Sequence, residues 1–252
     1  MRLPKSIIIT GANGQTSIRL AEVLLQRDCQ LILLAHQRTD RIAALQKQHS
    51  QSCRLVQCDL ADMKSTAEVV ADIFQQYGTD LTGLVHAAAI RSYDAQPLAE
   101  SDAETWNRIF SDNIRMAYNI LRCVLPVFIQ QNRGKIVLFG SNVTRTGLPY
   151  GSAYAAAKSA LANLVRSLAW ETAESNVQIN MVSPAPIETK LEEDYKGAYL
   201  KFRQEYFEAY KKSHPAHQLV KPEDIVNMIL PLLDLDSTSV SGEEIYITGG
   251  VL

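Results

Sequence analysis

Seven short runs dominated by Ile, Leu and Val punctuate the chain, at Ile7 to Thr10, Leu31 to Ala35, Leu55 to Cys58, Leu84 to Ala87, Ile136 to Phe139, Val177 to Val182 and Ile245 to Ile247. The stretches between them leave room for helices, and that alternation is the pattern of a parallel sheet with crossover helices. The runs are nearly continuous in apolar residues instead of alternating with polar ones, so both faces of the sheet must be covered. A doubly wound α/β fold with about seven parallel strands is expected. No repeat, low-complexity tract or Pro/Gly/Ser linker breaks the series, so residues 1–252 are expected to form a single domain.

One segment stands outside the rhythm. Between the sixth and seventh runs, Lys190 to His214 places Tyr195, Tyr199, Phe202, Tyr206 and Tyr210 at helical spacing, with Glu192, Glu193, Lys201 and Glu208 at polar positions. It reads either as an ordinary amphipathic helix packed on the body or as a lid, residues 190–214, docked beside the strand ends.

A formal net charge of -2 supplies no basic field for nucleic acid or an anionic membrane surface, so the expected partner is a small molecule. Apolar runs such as LILLA are far too short to span a bilayer. The opening MRLPKSIIITG enters a strand-like run at once and leaves no room for a secretory signal, which points to the cytoplasm. Cys29, Cys53, Cys58 and Cys123 lack metal-ligand spacing, so reduced thiols and no metal site are expected.

In open α/β sheets ligands bind outside the carboxyl ends of the strands, with dinucleotide phosphates at the first helix N-terminus. Here the first run leads into Thr10-Gly11-Ala12-Asn13-Gly14-Gln15-Thr16-Ser17. Gly11 permits a tight turn, and Gly14 lets backbone N–H groups approach a phosphate. The second run ends Ala35-His36-Gln37-Arg38 with no acid before Asp40, so a 2′-phosphate would meet His36 and Arg38 without repulsion. That favours NADP(H), with NAD(H) as the other option. Asp59, after the third run, could hold an adenine amino group or cap the helix that follows.

Tyr154 is the only tyrosine with a lysine, Lys158, four positions on, so the two share a helix face within Ser152 to Thr172. A free phenol has a pKa of about 10 and is a poor base at neutral pH. An ammonium about 4 Å away at an effective dielectric of about 20 contributes roughly 4 kcal/mol, or about three pKa units. Ser141, just after the fifth run, would bring a hydroxyl to the same sheet edge, where it and the phenol could polarise one carbonyl oxygen.

The glycine turn, Asp59, Asn113, Ser141, Tyr154 with Lys158, and Pro184 to Thr189 follow one another in the order of the short-chain dehydrogenase/reductase family, which the sequence resembles over essentially its whole length. The resemblance implies a Rossmann-type fold and hydride transfer between a nicotinamide cofactor and a carbonyl or alcohol. Tyr154 would protonate the substrate oxygen and Ser141 would orient it. Lys158 would lower the tyrosine pKa and bind the nicotinamide ribose, and Asn113 would hold a water relaying protons toward Lys158. Ile187 and Thr189 would meet the carboxamide, and Asn13, Gln15, Thr16, Leu60, Ala87 and Pro184 complete the expected cofactor set. Paired helices, Ser152 to Thr172 and Trp106 through Phe128, imply a homodimer or homotetramer.

Three departures stand out: Ser17 occupies the place of the last glycine in the turn, His86-Ala87-Ala88-Ala89 replaces the usual Asn-Asn-Ala-Gly, and Ala185 replaces a glycine. His86 is read as a structural substitute. The substrate pocket is expected between the loops Ile90 to Asp94 and Asn142 to Gly151 and the 190–214 segment. There Arg91 and Arg145 could receive an anion, Asn142 a polar group, and Tyr150, Tyr195 and Tyr199 could form an aromatic wall. NADPH-dependent reduction of a ketone is the favoured activity. An NAD-dependent secondary-alcohol dehydrogenase and a non-catalytic nucleotide sensor are the competing readings.

Overall fold

The computed structural model describes residues 3–93, 95–235 and 237–251. Its strands are β1 (Ser6–Thr10), β2 (Gln30–Ala35), β3 (Cys53–Gln57), β4 (Leu81–His86), β5 (Gly134–Phe139), β6 (Val177–Pro184) and β7 (Glu244–Ile247). They form one seven-stranded sheet in the order β3-β2-β1-β4-β5-β6-β7. Every pairing is parallel. The order reverses between β1 and β4, so the crossovers from these two strands leave in opposite directions and open a crevice at their carboxyl ends.

The helices are α1 (Gln15–Leu25), α2 (Asp40–Gln48), α3 (Met63–Tyr77), α4 (Ala103–Gln130), α5 (Val143–Thr146), α6 (Ser152–Glu171), α7 (Leu191–Asp194), α8 (Gly197–Ser213) and α9 (Pro222–Asp234). Strand periodicity decides which core each residue enters. Ile7 and Ile9 face one core with Leu20 and Leu24 of α1 and Ile225 and Ile229 of α9. Ile8 faces the other with Val70 of α3, Val124 and Phe128 of α4, and Leu161 and Val165 of α6. Each such fully buried side chain contributes roughly 1.5–3 kcal/mol. Two covered faces explain the unbroken apolar runs.

Two boundaries are set by local backbone conformation. Helix α1 begins at Gln15, inside the glycine motif, because Gly14 takes an extended N-cap conformation (φ −67°, ψ 144°). The 190–214 segment is two helices, α7 and α8, because Tyr195 (φ −132°, ψ 158°) and Lys196 (φ −142°, ψ 163°) are extended and Gly197 follows at φ +60°. Tyr195 therefore belongs to a corner, and only Tyr199 onward continues the aromatic stripe. No helix among the described residues is long and apolar enough to cross a membrane.

Candidate active site

A cavity of about 520 Å³ runs along the carboxyl edge of the sheet, from the glycine turn to α8. It brings together Gly11, Asn13, Gly14, Gln15, Thr16, His36, Arg38, Ala87, Arg91, Ser141, Asn142, Tyr154, Lys158, Pro184, Ile187, Thr189 and Tyr195 from the expected set. Asn113, Asp59, Leu60, Arg145, Tyr150 and Tyr199 are not among its lining residues. The C-terminal residue of the pocket loop, Asp94, lies outside the described residues.

At the nucleotide end, Gly11 has φ +60°, and a Cβ there would lie 2.6 Å from the Ala88 backbone nitrogen. Only glycine fits that approach. No side chain caps α1 and its first turn holds no acid, so its N-terminus offers unscreened N–H groups to an anion. This fits a dinucleotide pyrophosphate. Ser17 is buried without disturbing the turn. Asn13 reaches the start of α2 instead: it donates to the Asp40 carboxylate (3.0 Å) and accepts from the Arg41 backbone N–H (3.0 Å).

The basic side chains at the end of β2 face the 190–214 segment. Arg38 pairs with Asp194 at 2.9 Å, and Arg41 pairs with Asp194 at 3.1 Å and Glu193 at 2.8 Å. Gln15 donates to the Lys190 carbonyl and the Asp194 carboxylate, at 2.9 and 3.1 Å. These cations hold the Asp194 carboxyl below its ordinary range, although burial acts in the opposite direction. His36 stands 3.9 Å from Asp59. Asp59 accepts the Ala61 N–H (2.9 Å), while Asp62 is the residue that caps α3. The Leu60 carbonyl accepts from Asn119 (2.8 Å).

At the catalytic end, α6 presents Tyr154 and Lys158 toward the Ser141 loop. Lys158 is 2% exposed and donates to the Phe139 carbonyl (2.7 Å). Burial lowers its pKa from 10.5 to about 8. Its ammonium lies 5.7 Å from the Tyr154 ring centroid. The Tyr154 phenol is pushed up by burial, and the charges that pull it down are Arg91 and Arg203, followed by hydrogen bonding with Ser141. Lys158 is not among the charges acting on this phenol: its ammonium donates to a backbone carbonyl, and desolvation dominates.

Asn113 is buried, donating to the carbonyls of Ile90 (2.8 Å) and Ile109 (2.6 Å) and accepting the Ile90 N–H (3.1 Å). Its amide thus pins the loop that carries Arg91. His86 bonds Thr10 Oγ1 through Nδ1 at 2.8 Å, and burial drives its pKa down to about 3. It is a neutral brace between β1 and β4. Ala185 keeps its strand contact through a backbone bond to Ile247 (3.0 Å).

Around the pocket, Tyr195 is buried with Arg91 4.8 Å and Arg203 5.5 Å from its ring centroid. Tyr199 packs behind it at 5.3 Å. Tyr150 is 52% exposed at φ +61°, and Arg145 stacks on Tyr246 (4.7 Å), so the wall is built from Tyr195, Tyr206 and Phe207. Sequence reasoning did not single out Arg41, Asp194, Arg203 or Phe207. A signal existed for Arg203: it lies four residues from both Tyr199 and Phe207, a charge inside an aromatic stripe. Arg41 and Asp194 carried none, since both resemble ordinary surface charges at helix ends.

A parallel sheet reversing beside an uncapped glycine-led helix, with Ser, Tyr and Lys on the same edge, defines a class: the dinucleotide-binding α/β oxidoreductases. Residues 11–252 match the family model described as enoyl-(acyl carrier protein) reductase, and the chain belongs to the short-chain dehydrogenase/reductase family. It is 31% identical to a 3-oxoacyl-acyl-carrier-protein reductase of Thermotoga maritima over 77% of this chain and 75% of that one. To carbonyl reductase (NADPH) 2 of Sus scrofa it is 29% identical, over 81% of this chain and 80% of that one. An NAD+-bound xylitol dehydrogenase shares the fold, with a TM-score of 0.87 at 22% identity, covering 98% of this chain and 99% of that one.

Proposed function

We propose that this enzyme reduces a small ketone to a secondary alcohol with NADPH. The observation that carries the reading is the common cavity: Ser141, Tyr154 and Lys158 line the same space as the glycine turn. Tyr154 donates its phenolic proton to the substrate oxygen, and Ser141 donates a second hydrogen bond to it. The raised phenol pKa keeps Tyr154 in its acid form, as reduction requires. Lys158, anchored on Phe139, hydrogen-bonds the nicotinamide ribose. Asn113 acts as a positioning residue through Ile90, and Pro184, Ile187 and Thr189 orient the carboxamide. The nicotinamide, when bound, supplies the hydride.

His36, Arg38 and Arg41 supply a basic end to β2 that suits a 2′-phosphate. One observation favours the NAD-linked alcohol dehydrogenase instead: Asp194 and Glu193 already neutralise Arg38 and Arg41. In this reading residues 190–214 serve as the lid of a single-domain enzyme. The outer faces of α4 and α6, with Tyr118 and Trp170 53% and 86% exposed, meet a second copy in a homo-oligomer. Unpaired cysteines agree with a cytoplasmic location.

A ketone panel assayed with NADPH and NADH tests the activity, and fluorescence titration of both cofactors tests the preference. Turnover with tighter NADPH binding is expected. Tighter NADH binding overturns the cofactor assignment, and no turnover of any ketone overturns the activity.

A further inference from the structure

Four arginines line the cavity: Arg38, Arg41, Arg91 and Arg203. The first two are ion-paired with acids of α7. Arg91 and Arg203 form no ion pair with any described residue, and Arg203 Nε is buried without a hydrogen-bond partner. Both guanidiniums are nevertheless held in place. Tyr195 receives both, at 4.8 and 5.5 Å, and Phe207 takes Arg203 at 4.7 Å.

Neither cation has an acid among the described residues, and stacking on tyrosine and phenylalanine offsets only part of the cost of holding a charge half-buried. A carboxylate would supply the missing charge and satisfy the guanidinium donors, because the planar fork of arginine matches carboxylate geometry. We propose that the substrate is an oxo acid, whose carboxylate binds Arg91 and Arg203 while its ketone oxygen meets Tyr154 and Ser141. Resting on the ketone-reductase reading, this names the substrate class of the same site. It also gives the guanidiniums a second effect: they are the largest charges lowering the Tyr154 pKa, and a bound carboxylate offsets them, favouring the proton-bearing phenol that reduction needs.

The test compares 3-oxobutanoate and 4-oxopentanoate with their methyl esters, using the full chain with NADPH and with NADH. We expect kcat/KM for at least one acid to exceed that of its ester by about 100-fold, the scale of a charge-assisted hydrogen-bonded pair. R91M and R203M should each reduce that preference about tenfold or more, mainly through KM, and R203K should restore part of it. Turnover of esters as fast as acids, or a preference untouched in both variants, overturns the proposal while leaving the reductase reading intact. If neither acids nor esters turn over, the ketone panel decides the reductase reading, and calorimetric titration of 3-oxobutanoate decides the anion site. Saturable binding lost in the double variant supports the site, and absence of binding overturns it.

Discussion

The two ends of the cavity handle positive charge in opposite ways. At the nucleotide end Arg38 and Arg41 are met by Asp194 and Glu193, so α7 docks through the protein's own carboxylates. At the substrate end Arg91 and Arg203 rest on Tyr195 without an acid. On the proposed reading a 2′-phosphate would compete with Asp194 for Arg38 and Arg41, which would couple cofactor choice to the docking of α7. On the same reading the other end would keep its charge available to a substrate anion.

Loss of Tyr154 aside, the largest expected effect lies between the two ends, at Lys158. Lys158→Met should lower kcat/KM by about a thousandfold, within the range lost when acid–base machinery is disturbed. Its stability should move the other way. The folded-state pKa, about 8, lies below the ordinary 10.5, so burying the charged form costs stability at neutral pH, and that cost fades as pH rises from about 8 through 10.5. Thermal denaturation should therefore place K158M about 2–4 °C above wild type at pH 7, with the gap closing above pH 10. A destabilised variant at pH 7 would contradict the desolvation argument.

A smaller effect addresses the nucleotide end directly. Asp194→Asn releases Arg38 from its closest acid and leaves Arg41 with Glu193 alone, so NADPH affinity should rise about five- to tenfold while NADH affinity changes less. Equal changes for both cofactors would mean that Asp194 does not compete with the 2′-phosphate. The smallest effect tests the substrate end. Removing a cation beside a phenol raises its pKa, so Arg203→Met should move the acidic limb of alcohol oxidation to higher pH. An unmoved limb in the pH profile would separate Arg203 from Tyr154.

The sheet was legible because buried parallel strands require unbroken apolar runs, and Ile7, Ile8 and Ile9 supply one that serves both cores. Gly11, Ser141, Tyr154 and Lys158 were legible because backbone approach and proton transfer admit few residue types at fixed spacing. Arg41, Asp194 and Arg203 were harder to find, since their meaning comes from partners far along the chain: Arg41 and Asp194 are 153 residues apart. Helix α8 was anticipated as one continuous stripe. The extended pair Tyr195-Lys196 ahead of Gly197 leaves Tyr195 beside the two arginines, and nothing in the periodicity marked that break.

Steady-state reduction of a turned-over ketone by wild type and Tyr154→Phe, with NADPH saturating, tests the reading most directly. Loss of the donated proton should lower kcat/KM by about 10²–10⁴-fold. Wild-type turnover in the phenylalanine variant would show that Tyr154 is not the acid and that the catalytic end has been misassigned.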